Sequence, residues 1–177
     1  MAGILTLSAG AIACDEATSS EIAVQVSLPS TSDDKSFKWD PCFRIDDSIP
    51  EEFGFEPETR QRRDWHTHFT DNEMFIGCVF NRLNKVDEIE YPVAFMSIQS
   101  GNMTFQTMQD RHPDAPPVTI GDRTGFRLED GASGHMIVMP GPDGVAMVRL
   151  ACLDVCTDWK AEQHIDALAS RIEGLIS

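Results

Sequence analysis

The alternation of apolar and polar positions divides the chain into an uncharged front, a polar stretch and a long patterned body. Ile4 to Ala13 runs ten residues without a charge. That is too short for a helix crossing about 30 Å of hydrocarbon, which needs ~20 residues. It suits the apolar region of an export signal. Asp15 to Ser36 is rich in Asp, Glu, Ser and Thr, broken only by the short alternation Ile22-Ala23-Val24-Gln25-Val26. Such a stretch buries too little apolar area to offset chain entropy, and it predicts a flexible linker. The organisation expected is a signal peptide over residues 1–13, a flexible linker over 14–36 and one globular domain over 37–177.

Within the body, Phe37 to Ile45 reads as an extended segment pinned by Pro41. Ser48 and Glu51, three apart, form a capping-box pattern, and Gly54 supplies a stop, so Ser48 to Phe53 is a short helix. Glu56 to Arg63 is polar, with Arg60, Arg62 and Arg63 clustered. Asp64 to Asp71 alternates Trp65, Thr67 and Phe69 against His66, His68 and Thr70, a half-buried strand. Met74 to Leu83 is a second strand. Tyr91 to Ser100 and Met103 to Asp110 read as a hairpin about Ser100-Gly101-Asn102, followed by a Pro-rich loop from Arg111 to Pro117. Thr119 to Arg127 is a short extended piece broken at Gly121. His135 to Pro140 and Val145 to Cys152 flank Gly141-Pro142-Asp143-Gly144, a hairpin signal. From Thr157 onward, Ala161, Ile165, Leu168, Ala169, Ile172, Leu175 and Ile176 recur at three and four, one apolar helical stripe capped by Thr157 or Asp158. Many strands and one long terminal helix predict an α+β fold: an antiparallel sheet of about five to seven strands, covered on one face by a long C-terminal helix and a short N-terminal helix.

Composition narrows the classes. Of 177 residues, 29 are acidic and 14 basic, a formal charge of -15, with 41% apolar residues. The apolar share is too high for a disordered acidic chain. The acidic excess argues against nucleic acid, whose phosphates demand Lys and Arg, and against charge-driven binding to anionic lipid.

The front then acquires a more specific meaning. Ala11-Ile12-Ala13 places small residues three and one positions before Cys14, and a small or apolar triplet ending in Cys resembles the lipobox of bacterial lipoproteins. In that motif the Cys thiol takes a diacylglycerol, with fatty acyl chains such as palmitate, and becomes the new N-terminus. No Lys or Arg precedes Ile4, so the basic stretch of the signal is expected upstream of this chain. One acyl chain holds a membrane only reversibly, and two or more make a stable anchor. The alternatives are an unlipidated exported chain and a cytosolic protein with a buried N-terminal element.

Besides Cys14 there are four cysteines: Cys42, Cys78, Cys152 and Cys156. An even count in an exported chain reads as disulfides. Of three possible pairings the one expected is Cys42–Cys78 with Cys152–Cys156. Zinc wants two closely spaced Cys pairs, and this chain has C-x3-C once with two isolated cysteines. Thiol-redox sites favour C-x-x-C at a helix start, and here the spacing is one residue too long, although Cys156 precedes a helix, which keeps a redox role as a minor alternative.

These residues resemble a family. Trp39-Asp40-Pro41-Cys42 and the Pro-Glu-Glu segment ending at Gly54 are similar to the opening of the actinobacterial lipoproteins catalogued as domain of unknown function 3558. Gly77-Cys78-Val79-Phe80 resembles that family's second cysteine and the aromatic after it. Pro117-Val118-Thr119-Ile120-Gly121 resembles its mid-chain turn, and Cys156 with Ala161, Leu168 and Ala169 its C-terminal helix. The resemblance implies a cell-envelope lipoprotein with structural disulfides and no known chemistry. The family's third cysteine lies on its penultimate strand, whereas this chain has Cys152, which leaves the second pairing open.

Other candidate chemistry is thin. His66 and His68, at i and i+2 on a strand, share its polar face and could share a metal. No third ligand is evident in sequence, although His112, His135, Asp64 or Asp71 could lie near in space, and a solvated strand face is the simpler reading. No Gly-x-Ser-x-Gly elbow or phosphate loop is present. Arg60, Arg62 and Arg63 are the one basic cluster, a candidate ligand-facing patch for an anionic envelope component or an acidic partner. Met74, Met96, Met103, Met108, Met136, Met139 and Met147 all fall in predicted strands or their hairpins, consistent with core filling or an adaptable apolar pocket. The expectation is a non-enzymatic envelope lipoprotein without cofactor or metal, exported and held on the outer face of the cell membrane, serving as a binding or accessory module for an envelope protein or small apolar ligand. The alternatives are a carrier of an apolar molecule between sheet and helix, and a metal-binding or hydrolytic protein using the His66 and His68 face.

Overall fold

The computed structural model describes residues 37–66, 73–131, 133–153, 156 and 158–176, all within one compact unit, Asp34–Ser177. Cys14, His68 and the linker lie outside the described residues, as does the end of the strand expected to reach Asp71.

Two short helices open the body, α1 (Pro41–Arg44) and α2 (Ser48–Glu52). The first replaces the extended segment expected across Phe37–Ile45. Pro41 sits at the helix start, where its fixed φ is already helical and its missing N–H costs nothing, and the Asp40 carboxylate accepts from the Cys42 amide at 3.0 Å. The second forms where expected, but Ser48 does not cap it. The Asp46 carboxylate accepts from both the amide and the hydroxyl of Ser48, which occupies the hydroxyl that a capping box would use.

Seven strands follow: β1 (Glu56–His66), β2 (Met74–Val86), β3 (Ile89–Gly101), β4 (Pro117–Ile120), β5 (Arg123–Asp130), β6 (Gly134–Gly141) and β7 (Gly144–Cys152). They form one sheet in the order β1-β2-β3-β7-β6-β5-β4, every pairing antiparallel. With the helices, this is the α+β arrangement the pattern predicts. The polar stretch Glu56–Arg63, to which the pattern assigns no element, is the larger part of β1. As the end strand of the order it has a single paired neighbour, so a run of charges is tolerated and the apolar signal is absent. The expected break at Gly121 is a full turn between β4 and β5, with Gly121 at φ +55°. The hairpin at Gly141–Gly144 is present, with Pro142 and Asp143 as its two loop residues.

The second hairpin arm expected over Met103–Asp110 is instead α3 (Phe105–Arg111), with the Thr104 hydroxyl accepting from the Thr107 amide at 3.1 Å. A Thr three residues before an open amide is a capping signal, and it overrides the weak alternation. The turn after β2 lies earlier, at Asp87-Glu88, with Asp87 in the left-handed region at φ +54°. The terminal helix α4 (Ala161–Glu173) has the expected stripe, burying Ala161, Ile165, Leu168, Ala169 and Ile172. Its N-cap position is Lys160, with no side-chain cap bond; Asp158, an expected cap, pairs with Arg82 at 3.1 Å instead.

Two buried clusters result. The larger joins Cys42, Ile49 and Phe53 of the N-terminal segment and Ile165, Leu168 and Ile172 of α4 to Phe80, Met96, Ile98, Ile137, Met139, Val148 and Leu150. The smaller joins Phe75, Phe126, Val138, Val145 and Met147 to Met103 and to Met108 of α3. Successive residues of β7 and β6 belong to different clusters, as strand alternation requires.

Candidate functional site

Cys42 and Cys78 form a disulfide, as do Cys152 and Cys156. The first lies in the core, Cys42 8% and Cys78 0% exposed, and ties α1 to β2. The second closes a loop only four residues apart in sequence, between the end of β7 and the approach to α4, and both its cysteines are half-buried.

The basic cluster does not form one patch. Arg60 directs Nη1 at the carbonyls of Cys42 (2.8 Å) and Ile45 (2.9 Å), directs Nη2 at Asp47 (2.5 Å), and lies over the Phe80 ring at 5.0 Å. It thereby satisfies carbonyls left open where α1 ends. Arg62 pairs with Asp40 at 2.8 Å and Asp64 at 2.9 Å. Arg63 donates to Gln61 at 2.7 Å. Arg60 and Arg62 therefore grip the protein's own first helix. The backbone of His66 closes β1 opposite Met74. Among the described residues no group of three His, Cys, Asp or Glu is placed to hold a metal.

Met96 and Met139 are fully buried, Met103, Met108 and Met147 nearly so, and Met74 and Met136 are half-buried. Five of these seven methionines belong to the two clusters and Met136 packs against the smaller one. Packing this dense leaves their thioethers few partners beyond their core neighbours.

The described residues do enclose a cleft of about 330 Å³, lined by Ser133, His135, Cys152, Cys156, Trp159, Lys160, Ala161 and Glu162. It lies where the start of β6, the end of β7 and the first residues of α4 converge, and no Met or Phe lines it. Ser133 clasps the end of β7: its hydroxyl donates to the Cys152 carbonyl at 3.1 Å and its carbonyl accepts from the Cys152 amide at 3.4 Å. Trp159 is 5% exposed, its ring stacked on His164 (5.5 Å between centroids) and edge-on to Phe55 (5.4 Å). The Nδ1 of His135 and the Nε1 of Trp159 are buried without a hydrogen-bond partner among the described residues. No family model, curated protein or solved structure matches the chain.

Of the cleft lining, the sequence singled out its two cysteines, Ala161 as part of the helical stripe and His135 as a possible metal ligand, but nothing in it brought them together. His135 precedes the neighbours Trp159 and Lys160 by more than twenty residues, with β7 between, and they meet because β6 neighbours β7 and α4 returns beside both. No local spacing encodes that convergence.

Proposed function

We propose that the chain is an exported, lipid-anchored lipoprotein whose folded body is a non-enzymatic binding or accessory module on the outer face of the cell membrane. The observation that supports this most is the pairing of all four body cysteines into two disulfides. Disulfides persist in oxidising compartments and are rare where thiol reductants prevail. The uncharged run Ile4–Ala13 and the Ala11-Ile12-Ala13-Cys14 pattern give the export and attachment, with the similarity to the actinobacterial lipoproteins in the same direction. No helix among the described residues is long and apolar enough to cross a membrane; in this reading the diacylglycerol on Cys14 holds the protein there.

The acidic body suits such an anchor. The whole chain, at a formal charge of -15, is repelled by anionic headgroups, so covalent acyl chains must supply the attraction. Metabolic labelling with a fatty acid should mark the wild-type protein in the membrane fraction and leave Cys14→Ser unlabelled. Equal labelling of both rejects the reading.

A further inference from the structure

The two disulfides differ in burial, surroundings and loop length. Cys42–Cys78 is enclosed by the core, with Cys78 fully buried. Cys152–Cys156 lines an open cleft beside Lys160, His135 and the start of α4. It closes a loop four residues apart against 36 for the other, so the chain-entropy gain that opposes its reduction is the smaller.

We propose that Cys152–Cys156 is a thiol–disulfide exchange site that reacts in the folded protein with small thiols or an exposed dithiol, while Cys42–Cys78 is inert. An external thiolate attacks the Cys152 sulfur, which becomes the mixed disulfide. The Cys152–Cys156 bond breaks and its electron pair leaves on the Cys156 sulfur as a thiolate. A second external thiol resolves the mixed disulfide, so that two thiols are oxidised to one disulfide and the pair is reduced to two cysteines. The departing Cys156 thiolate forms near the Lys160 ammonium and the N-terminal end of α4, whose first amides receive no side-chain cap bond. Both favour a thiolate, and a stabilised leaving group departs faster; the Glu162 carboxylate in the same lining acts in the opposite sense. Opening the bond leaves β7 in place, because Cys152 stays paired with Ala94 of β3 and clasped by Ser133.

The test treats the folded protein with millimolar reduced glutathione or dithiothreitol in native buffer, quenches with iodoacetamide and maps the alkylated peptides. Cys152 and Cys156 should be alkylated about tenfold faster or more than Cys42 and Cys78, at a rate linear in thiol, with the circular dichroism unchanged. Loss of both bridges together, or a rate that saturates with thiol at the unfolding rate, overturns the proposal. In a second arm, Cys156→Ser with oxidised glutathione should acquire one glutathione on Cys152 while folded. A folded variant that acquires none overturns the assignment of Cys152 as the attacked sulfur. If that variant does not fold, the alkylation rates of the wild type decide.

Discussion

At the scale of single residues, the body is tied together by a few polar side chains that bond across long stretches of sequence. Asp143, in the hairpin between β6 and β7, is the clearest. Its carboxylate accepts from the amides of Lys38 (2.7 Å) and Trp39 (3.1 Å) and from the hydroxyl of Ser100 (2.9 Å), joining the start of the body to β3. Ser100 is fully buried, so losing its partner leaves a hydroxyl unsatisfied. Bonds to a charged group contribute about 1.5–3 kcal/mol each, less where solvent can replace the partner. Asp143→Ala should therefore lower stability by about 2–4 kcal/mol, and Asp143→Asn by less, because one acceptor oxygen survives. Urea unfolding of the two variants checks the order. Arg60 makes a parallel case: Arg60→Ala should cost about 2 kcal/mol, and Arg60→Lys should recover little, since an ammonium cannot reproduce the planar fork that meets two carbonyls and Asp47 together.

The same scale supplies a pH dependence. The hydrogen bond from the Ser48 hydroxyl, and then that from its amide, hold the Asp46 carboxyl below the ordinary carboxylate range. A carboxyl whose folded pKa is lowered adds stability that is present above its unfolded pKa, about 3.9, and lost as pH falls through the lower folded value. Asp46→Asn should thus narrow the difference between unfolding midpoints measured at neutral and strongly acidic pH. An unchanged difference would show that the Ser48 bonds carry no linkage.

At the scale of elements, what could be read from the chain was periodicity carried by large side chains. The stripe of α4 and the strands β2, β6 and β7 stand where apolar residues repeat, because those repeats are the faces buried in the two clusters. The misreadings fall where local chemistry overrides the repeat. Asp40 and Pro41 start a helical turn inside a segment that looks extended, Thr104 caps α3 where alternation suggested a strand, and the β2–β3 turn uses Asp87 at positive φ in place of a glycine. β1 was hidden for a different reason: its charges find partners on α1 and in the loop after it, a long-range fact absent from any local window. The cleft was hidden likewise. The legible stripe yields its own prediction. Leu168 is fully buried between α4 and the sheet, and Leu168→Ala should cost about 2–5 kcal/mol through lost transfer energy and the cavity left behind. Glu162→Ala, on the exposed side of the same helix, should change stability by no more than about 0.5 kcal/mol. Equal effects of the two would mean that the stripe is not what docks the helix.

At the scale of the whole molecule, the bridges carry unequal shares of stability. Cys42–Cys78 encloses α1, α2, β1 and the start of β2, a loop separation of 36, for which the chain-entropy relation gives about 4 kcal/mol. Cys152–Cys156, with a separation of four, gives about 2 kcal/mol by the same relation. The inequality grows once packing is added, because Cys42 and Cys78 both sit in the larger cluster, whereas the second pair borders a cleft. The first loop also carries Arg60 and Arg62, whose bonds to α1 need β1 and α1 held together. Replacing Cys42 and Cys78 together by Ala should then lower the urea midpoint by at least twice as much as replacing Cys152 and Cys156 together, with an enlarged denatured state raising the m-value in both. The opposite order would place the critical constraint at the β7–α4 end. It would also contradict exchange at Cys152–Cys156 in the folded state, since a bridge on which the fold depended could not be opened without unfolding it.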